Sequence, residues 1–509
     1  MKEIRINPNK TYILNPNYVL RNDVSRAIIA TSDNTSFMPK AGNLVVDDIV
    51  SIIHPNYAII LSFFDGKTPF NDVIEHICSY FQITPMTAEC IVRKMINNPQ
   101  NLCVEYDSHF FYLPKHILVE KTIDMPIRNY SPNDFIVTCE VDLHSQRLNK
   151  PIYAALLINT KCVTDCIYCY ADKRKITNCT IPFRRIQELI AEAKSMGISS
   201  FDIHGGELFL YPEWESLLKE LYGAGYNVYI STKYPLNEEE VMRLVNTGAK
   251  EIQISLDSIY EDDLVKNLKV TPAYRNKILN TISLLSRTSL NVKVKSVITN
   301  PIFDKQRILD YLDYFDQFPN VKVVELTAPS HSLYKTQEQF SYYRLSEEQI
   351  NQLISICQLE KDKHLYELRA DIPSKEELLT NDNALRMKHF KCRSSCSGNK
   401  VSFLILPNGD VTVCEETYFN PNLKMGSILN NSILDVWNSS KAKGLFYMSQ
   451  LAFPMDSPCR FCKDFVECRH DKGICWTDVM AAYGEDNWMM PSPECPLAPT
   501  PKNQTNMVI

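Results

Sequence analysis

The chain has 509 residues, of which 22% are charged and 45% hydrophobic. This length predicts about three domains, and the composition excludes a disordered or fibrous protein. Lys and Arg number 54 against 60 Asp and Glu, so the net charge of -6 gives no global attraction to nucleic acid or anionic lipid. No apolar run reaches the roughly 18 residues that span a bilayer, and the N-terminus lacks a secretory apolar region. We therefore expect a cytoplasmic protein without a membrane span.

Residues 1–120 predict a small winged-helix domain. Pro69 opens a run in which Val73 and Ile77 recur at helical spacing, and Thr84 before a proline is typical of the N-cap of a second helix. The segment VEYDSHFFYLP predicts a strand pair, the wing, with its turn at the Asp-Ser step. The domain is not markedly basic, so its sequence does not indicate DNA binding.

The middle of the chain alternates strand-like and helical segments. Residues 121–149, rich in Asn, Asp, Ser and Pro, predict a linker before a domain at 150–330. Six strand-like runs follow in that domain, namely YAALLIN, SSFDIHG, NVYIST, EIQISLD, NVKVKSVIT and VKVVELT. This α/β alternation predicts a partial (β/α)6 barrel of the TIM type, in which ligands collect at the C-terminal ends of the strands. Residues 331–390 predict a helical connector, 391–500 a loop-rich domain and 501–509 a tail.

Cysteine usage is the most informative feature of the composition. Because the reducing cytosol disfavours disulfides, 17 cysteines in such a chain indicate metal or redox chemistry. Six are scattered, and we expect them to be small buried hydrophobic residues: Cys78, Cys90, Cys103, Cys139, Cys179 and Cys357. The other eleven form two groups, Cys162, Cys166 and Cys169, then Cys392, Cys396, Cys414, Cys459, Cys462, Cys468, Cys475 and Cys495.

The first cysteine group directly follows the first predicted barrel strand. Three thiolates at CxxxCxxC spacing on a loop can bind one face of an iron-sulfur cluster and leave a fourth metal position open for substrate. A zinc site with its fourth ligand from elsewhere is the alternative.

Three more motifs end the next strands. The second strand ends at His204-Gly205-Gly206-Glu207, where paired glycines allow close backbone approach and the glutamate can receive an ammonium group. Ser231-Thr232 and Ser255-Leu256-Asp257 end the third and fourth strands. Each motif alone is weak because such residues are common in turns, but together they line one rim.

CxxxCxYC after the first strand and GGE after the second resemble the radical S-adenosylmethionine (SAM) superfamily over about residues 151–329. The resemblance implies that Cys162, Cys166 and Cys169 bind a 4Fe-4S cluster whose remaining iron is chelated by SAM. It also implies that the cofactor is bound by Tyr168, Gly205, Gly206, Glu207, Ser231 and Ser255. Leu208 after GGE and Lys233 after Ser-Thr depart from the residues usual in the family, which are Pro and Asn.

The second cysteine group, with PNGDVTVC and MGSILNNSILDVW, resembles the SPASM domain of peptide-modifying radical enzymes. This implies two auxiliary 4Fe-4S clusters. The first would be bound by Cys396, Cys414 and Cys475, with Cys392 as a candidate fourth ligand, and the second by Cys459, Cys462, Cys468 and Cys495. Six residues separate Cys468 from Cys475 where the usual pattern has three. Zinc is again the alternative.

LSFFDGKTPFNDVIEHI in the N-terminal domain resembles the RiPP recognition element, a winged helix like the PQQ chaperone that binds leader peptides of ribosomal precursors. The resemblances together imply a radical SAM oxidoreductase that matures a precursor peptide through a 5'-deoxyadenosyl radical and forms a cross-link, a thioether or a C-C or C-O bond. A flavodoxin or ferredoxin would supply electrons. Sulfatase-maturase-like oxidation of a protein Cys or Ser, and a non-catalytic zinc adaptor, are the alternatives. Asp165, Glu325 and Asp410 are candidate bases by chemistry alone.

Overall fold

The computed structural model of the protein describes residues 7–32, 36–37, 49–107, 109–123, 125–172, 177–372, 388, 390–418 and 420–502. The chain divides into two compact units, Met1–Lys150 and Pro151–Ile509. In the described part of the chain, no helix has both the length and the hydropathy that crossing a bilayer requires.

In its described residues, the N-terminal unit combines three small antiparallel sheets with three α-helices. Its strands are β1 (Thr11–Leu14), β2 (Tyr18–Asn22), β3 (Ala27–Thr31), β4 (Val50–Ile53), β5 (Asp65–Pro69), β6 (Leu102–Tyr106), β7 (His109–Leu113) and β8 (Leu118–Glu120). They form sheets in the orders β5-β1-β8, β2-β3-β4 and β6-β7. The helices are α1 (Pro55–Ser62), α2 (Phe70–Phe81) and α3 (Pro85–Met95).

Both helices predicted in this unit are confirmed. Helix α2 starts after Pro69 and buries Val73 and Ile77 in the core of the unit. Helix α3 starts at Pro85 because the Thr84 hydroxyl accepts a hydrogen bond from the Thr87 amide, which satisfies one free N–H of the first turn.

The predicted strand pair is also confirmed. β6 and β7 form an antiparallel hairpin in which Cys103 pairs with Tyr112 and Glu105 with Phe110. Alternation puts Phe111 in the core, whereas Phe110 and Tyr112 are 54% and 49% exposed. The hairpin therefore presents an aromatic outer face.

Residues 121–149 belong to the N-terminal unit, although the sequence predicts a linker there. The buried Arg26 pairs with Asp23 at 3.0 Å and donates to the backbone carbonyls of Asp142, Ser145 and Arg147. Contacts made through backbone carbonyls do not depend on side-chain type, so they produce no hydrophobic pattern in the sequence. The polar, proline-containing residues 121–149 therefore have the sequence of a linker although they are packed against Arg26.

The six predicted barrel strands are all present and parallel within their sheets. They are β9 (Tyr153–Leu157), β10 (Ser200–His204), β11 (Ser231–Thr232), β12 (Glu251–Ser255), β13 (Asn291–Val297) and β14 (Val321–Thr327). The helices between and after them are α4 (Phe183–Ser195), α5 (Trp214–Gly223), α6 (Glu238–Val245), α7 (Glu261–Leu268), α8 (Ala273–Leu285), α9 (Lys305–Tyr314), α10 (Gln337–Tyr343) and α11 (Glu347–Glu360). Apolar side chains of both layers share one core.

The predicted helical connector, 331–390, contains a strand besides helices α10 and α11. Strand β15 (Glu367–Asp371) pairs in parallel with β14 and adds a seventh strand. Its sequence, ELRAD, carries charged residues where an apolar strand would be expected, so no strand pattern is present there.

The C-terminal region has short elements, as its sequence predicts. Strand β16 (Ser402–Ile405) pairs in parallel with β9, and β17 (Asp410–Thr412) and β18 (Gly426–Ser427) continue that sheet in antiparallel pairing. The helices are α12 (Ile433–Trp437), α13 (Ser440–Phe446) and α14 (Trp476–Tyr483). Since β16 lies beside the first barrel strand, the cysteine-rich region is joined directly to the barrel sheet.

The scattered cysteines do not all behave as predicted. Cys357 is buried, and Cys78 and Cys179 are half-buried. The prediction of burial is wrong for Cys90, Cys103 and Cys139, which are exposed. For example, Cys103 lies on the outer face of the hairpin, and a single cysteine carries no sequence signal for its side of a strand.

Candidate active site

The first three cysteines lie on the loop that follows β9. The Thr164 hydroxyl lies 3.4 Å from the Sγ of Cys162 and 3.2 Å from the Sγ of Cys166, and the Cys169 amide donates to the Cys166 carbonyl. Burial raises the pKa of the Cys166 thiol to about 11. A bound metal cation would offset that cost by stabilising the thiolate, so the donor set fits a metal centre.

The GGE loop after β10 is clamped onto the cysteine loop. The Gly206 amide donates to the Asn159 carbonyl at 2.8 Å, and the Asn159 side-chain amide donates to the Glu207 carbonyl at 2.9 Å. A Cβ on Gly206 would lie 2.0 Å from the backbone oxygen of Lys161. Only glycine allows this approach, so Gly206 positions the cysteine loop.

The Glu207 carboxylate is buried and turned toward the third strand. It accepts hydrogen bonds from the Thr232 hydroxyl at 2.8 Å, the Phe209 amide at 3.3 Å and the Lys233 amide at 3.2 Å. Burial raises its pKa to about 7 against the opposing effect of these hydrogen bonds. Glu207 thereby holds the ends of β10 and β11 together.

Asp257, just after β12, organises the rim next to the cysteines. Its Oδ2 accepts from the Tyr168 hydroxyl and from the Asn267 amide, both at 2.7 Å. Its Oδ1 lies 3.0 Å from the Nζ of Lys233. Burial opposes the charge of Lys233, but the electrostatic effect of Asp257, followed by that of Cys166, outweighs burial and raises the pKa of Lys233. The sequence flagged Lys233 only as a departure, and this ion pair accounts for it.

Ser231 and Ser255 are brought together as expected for neighbouring strand ends. Their hydroxyl oxygens lie 3.3 Å apart, and the side-chain amide of Gln253 donates to both, at 2.8 and 3.0 Å. Gln253, which the sequence analysis missed, faces the same side of β12 as Ser255 because it is two residues away.

A row of charged residues continues from these serines around the barrel. Ser255, Lys295, Glu325 and Arg369 are cross-strand neighbours on β12 to β15. The Glu325 carboxylate lies 2.6 Å from Lys295 Nζ and 2.7 Å from Lys293 Nζ. Burial acts to raise the pKa of Glu325, but the two lysines outweigh burial and lower it. Glu325 is therefore the partner of two lysines rather than a strong base.

Four of the later cysteines line one cavity. Cys459, Cys462, Cys468 and Cys495 belong to its lining, together with Arg393 and Arg469. The donor set, four cysteines in one cavity, fits a four-thiolate metal centre.

Cys396, Cys414 and Cys475 interact as a second group. The electrostatic influence of Cys396 acts to raise the thiol pKa of both Cys414 and Cys475, in each case after the larger effect of burial. Cys392 is exposed, as is Cys475, and it is not among the residues that line the four-cysteine cavity. Glu415, next to Cys414, pairs with His204 at the end of β10. This pair links the group to the barrel rim.

Comparisons with known proteins agree with this geometry. Residues 156–315 match the radical SAM superfamily, and residues 396–463 match SPASM, an iron-sulfur cluster-binding domain. A GTP 3',8-cyclase of Clostridium botulinum is 25% identical over 232 residues, which cover 44% of this chain and 69% of that protein.

Two solved structures of SuiB from Streptococcus suis have the same fold. SuiB bound to S-adenosylmethionine gives a TM-score of 0.59 at 14% identity and covers 95% of this chain and 99% of SuiB. SuiB bound to the precursor peptide SuiA gives a TM-score of 0.59 at 13% identity, with 95% and 100% covered.

The chain thus contains a radical SAM domain and a SPASM domain, and the protein is a radical SAM enzyme. Its cofactors are S-adenosylmethionine, a 4Fe-4S cluster and auxiliary iron-sulfur clusters. These matches leave no support for the alternative of a non-catalytic zinc adaptor.

Proposed function

We propose that this radical SAM enzyme modifies a ribosomally made precursor peptide by forming an oxidative cross-link. The observation that carries the proposal is the clamping of the Cys162, Cys166 and Cys169 loop against the GGE loop at the C-terminal ends of the barrel strands. When bound, SAM and the cluster supply a 5'-deoxyadenosyl radical that removes a hydrogen atom from the substrate. The protein's own residues hold and orient the reactants.

The SAM site is assigned to the rim beside that loop. Tyr168, Gly205, Gly206, Glu207, Ser231 and Ser255 form the proposed set, and Asp257 and Lys233 join it as positioning residues. Asp257 fixes the Tyr168 hydroxyl, and Lys233 is fixed in turn by its ion pair. The Glu207 carboxylate already accepts three hydrogen bonds from protein groups. We therefore assign the amino group of SAM to backbone carbonyls of the GGE loop as well as to Glu207.

The peptide substrate is proposed on two grounds. The fold of SuiB, which was solved with its precursor peptide, spans 95% of this chain. The N-terminal unit also carries a hairpin next to helices, as in a winged helix, and within the described residues no strand pairs with the outer edge of β6. Such an edge can accept a leader peptide as an added strand.

The bond formed is proposed to be a thioether, with C-C and C-O bonds as variants of the same chemistry. The charged row from Ser255 to Arg369 supports a peptide core with polar side chains in the barrel. An electron donor of the flavodoxin or ferredoxin type completes the proposal.

The auxiliary clusters are assigned to two ligand sets. Cys459, Cys462, Cys468 and Cys495 would hold one, since they share a cavity. Cys396, Cys414 and Cys475 would hold the other, with Cys392 as the candidate fourth ligand.

Iron analysis tests the cluster assignment. Anaerobically purified protein is expected to contain about 12 iron atoms per chain, falling to about 8 when Cys162, Cys166 and Cys169 are changed together to Ala, because one four-iron cluster is lost. A matched control changes the exposed Cys90, Cys103 and Cys139 to Ala, and its iron content should stay at the wild-type level. A triple variant that keeps all its iron would refute the ligand set.

Activity is tested with short peptides encoded beside the gene. Reduced enzyme with SAM should form 5'-deoxyadenosine and lower the peptide mass by a pair of hydrogen atoms. 5'-Deoxyadenosine formed equally with or without every such peptide would contradict a peptide substrate.

Leader binding is expected to depend on the outer face of the hairpin. Changing Phe110 and Tyr112 to Ser should weaken the binding of a fluorescein-labelled leader segment by about tenfold or more, since aromatic anchors dominate such interfaces. Fluorescence anisotropy measures the Kd. Leu359→Ser, on an even more exposed apolar residue of α11, is the control and should leave the Kd unchanged. Unaltered affinity in the hairpin variant would place the leader elsewhere.

A further inference from the structure

Two arginines face the four-cysteine cavity. The Nη2 of Arg469 lies 3.1 Å from the Sγ of Cys459, and the Nη2 of Arg393 lies 3.3 Å from the Sγ of Cys468. Both distances are within the range of N–H hydrogen bonds to sulfur. Each guanidinium therefore already donates to a proposed cluster ligand.

Within the described residues, further N–H groups of these arginines find no hydrogen-bond partner. Arg469 is only 8% exposed, yet its Nε and Nη1 are buried and unpartnered, and so is the Nε of Arg393. A buried, unpaired donor on a charged group costs free energy. A cluster in this cavity would bring sulfur acceptors to the arginines that line it. The unpaired N–H groups are therefore independent evidence that the cavity binds a negatively charged group.

Both guanidinium groups are held in place by other contacts. Arg469 donates to the Met490 carbonyl at 2.7 Å and lies over the Phe453 ring at 4.7 Å. Arg393 donates to the Gly473 carbonyl at 2.8 Å and lies over the Phe390 ring at 3.9 Å. The positive charges are therefore fixed features of the site.

Acidic residues adjoin the other cysteine group. Glu415 and Glu416 adjoin Cys414, and Asp478 interacts with Cys475.

One cation also acts on this group. Lys400 influences Cys396, but its Nζ donates to the Ser395 hydroxyl at 2.8 Å and to the Asp471 carbonyl at 2.6 Å, and no hydrogen bond from it to a sulfur is present among the described residues. Backbone amides of Gly398, Glu416 and Asp478 donate to the sulfurs of Cys396, Cys414 and Cys475. In the described part of the chain, the charged N–H donors to cysteine sulfur are Arg393 and Arg469 at the four-cysteine cavity.

We propose that Arg393 and Arg469 raise the reduction potential of the cluster at Cys459, Cys462, Cys468 and Cys495 above that of the cluster at Cys396, Cys414 and Cys475. Hydrogen bonds to sulfur and local charge set cluster potentials, and a positive, donating environment stabilises the reduced, more negative cluster. The cluster bound by Cys459, Cys462, Cys468 and Cys495 is then reduced before the other auxiliary cluster. This inference rests on the ligand sets given under the proposed function.

The test is a redox titration of anaerobic holoenzyme followed by electron paramagnetic resonance. The background carries the triple Ala change at Cys162, Cys166 and Cys169, so that the auxiliary clusters alone report. Two one-electron steps are expected, and Cys459→Ser with Cys462→Ser should remove the step at higher potential.

Arg469→Gln and Arg393→Gln should each lower the midpoint potential of that step by at least 59 mV, which is tenfold in the equilibrium constant of a one-electron couple. The midpoint potential of the other step should not change. Arg469→Lys, which keeps the charge, should recover part of the shift. Arg460→Gln is the matched control, because Arg460 donates to the carbonyls of Leu451 and Phe453 and not to sulfur, and its shift should be smaller.

The outcomes separate this inference from the ligand sets. A background protein without about 8 iron atoms per chain would overturn both. With full iron content, a higher midpoint potential that is unchanged in both arginine variants would overturn the inference alone. So would a step at higher potential that is still present in the Cys459→Ser, Cys462→Ser variant. If one arginine variant loses iron, the shift of the higher midpoint potential is measured in the other arginine variant and in Arg469→Lys instead.

Discussion

Asp257→Ala is expected to destabilise the barrel by about 3–5 kcal/mol and to abolish detectable SAM binding. The change would leave the ammonium of Lys233 buried without its partner, and removing one member of a buried ion pair has costs of this size. It would also free the Tyr168 hydroxyl and the Asn267 amide, which both donate to Asp257 at 2.7 Å. The measurements are the urea midpoint of the anaerobic holoenzyme and the Kd for SAM.

A double variant separates the ion pair from the other contacts. Asp257→Leu with Lys233→Met removes both charges and should recover much of the lost stability, since an apolar pair can replace a buried ionic one. SAM binding should stay weak because the Tyr168 hydroxyl is still unanchored. Strict additivity of the stability effects of the single changes Asp257→Leu and Lys233→Met in the double variant would show that Asp257 and Lys233 are not coupled.

Gly206→Ala is expected to remove the radical SAM cluster while sparing the auxiliary clusters. The new Cβ would lie 2.0 Å from the oxygen and 2.5 Å from the carbon of the Lys161 carbonyl. Because both atoms are backbone, the cysteine loop itself must move. Iron content should fall by about 4 atoms per chain, and SAM affinity should fall with it.

Gly223→Ala is the matched control for that change. Gly223 ends helix α5, and a Cβ there would meet no atom within 4 Å. Its iron content should be unchanged, and stability should be equal or higher by about 0.5–1 kcal/mol because the unfolded chain loses freedom. Full iron and normal SAM affinity in Gly206→Ala would mean that the loop tolerates the displacement.

Local patterns were sufficient to predict much of this molecule. The six apolar strands after residue 150, the helix that starts at Pro85 and the hairpin at β6 and β7 each carry their signal within a dozen residues. Charged strand β15 lacks that signal, since Leu368 is the one buried residue among its five.

Side-chain partners distant in sequence could not be predicted. Asp257 and Lys233 are 24 residues apart, and Arg393 lies 75 residues from Cys468. Neither pair leaves a local pattern, because three-dimensional packing alone brings its members together. The resemblance to a known family supplied the candidate ligands, but not the ion pair or the arginines that surround them.

The pairing of β16 with β9 has a consequence for the order in which the protein can fold. The two strands are separated by about 250 residues, which take about 12–50 s to synthesise at 5–20 residues per second. Throughout that interval one edge of β9 lacks its final neighbour, and an open edge invites pairing with other chains. The strand that leads into the cysteine loop is therefore completed only late in translation, when the nascent chain has reached the cysteine-rich region.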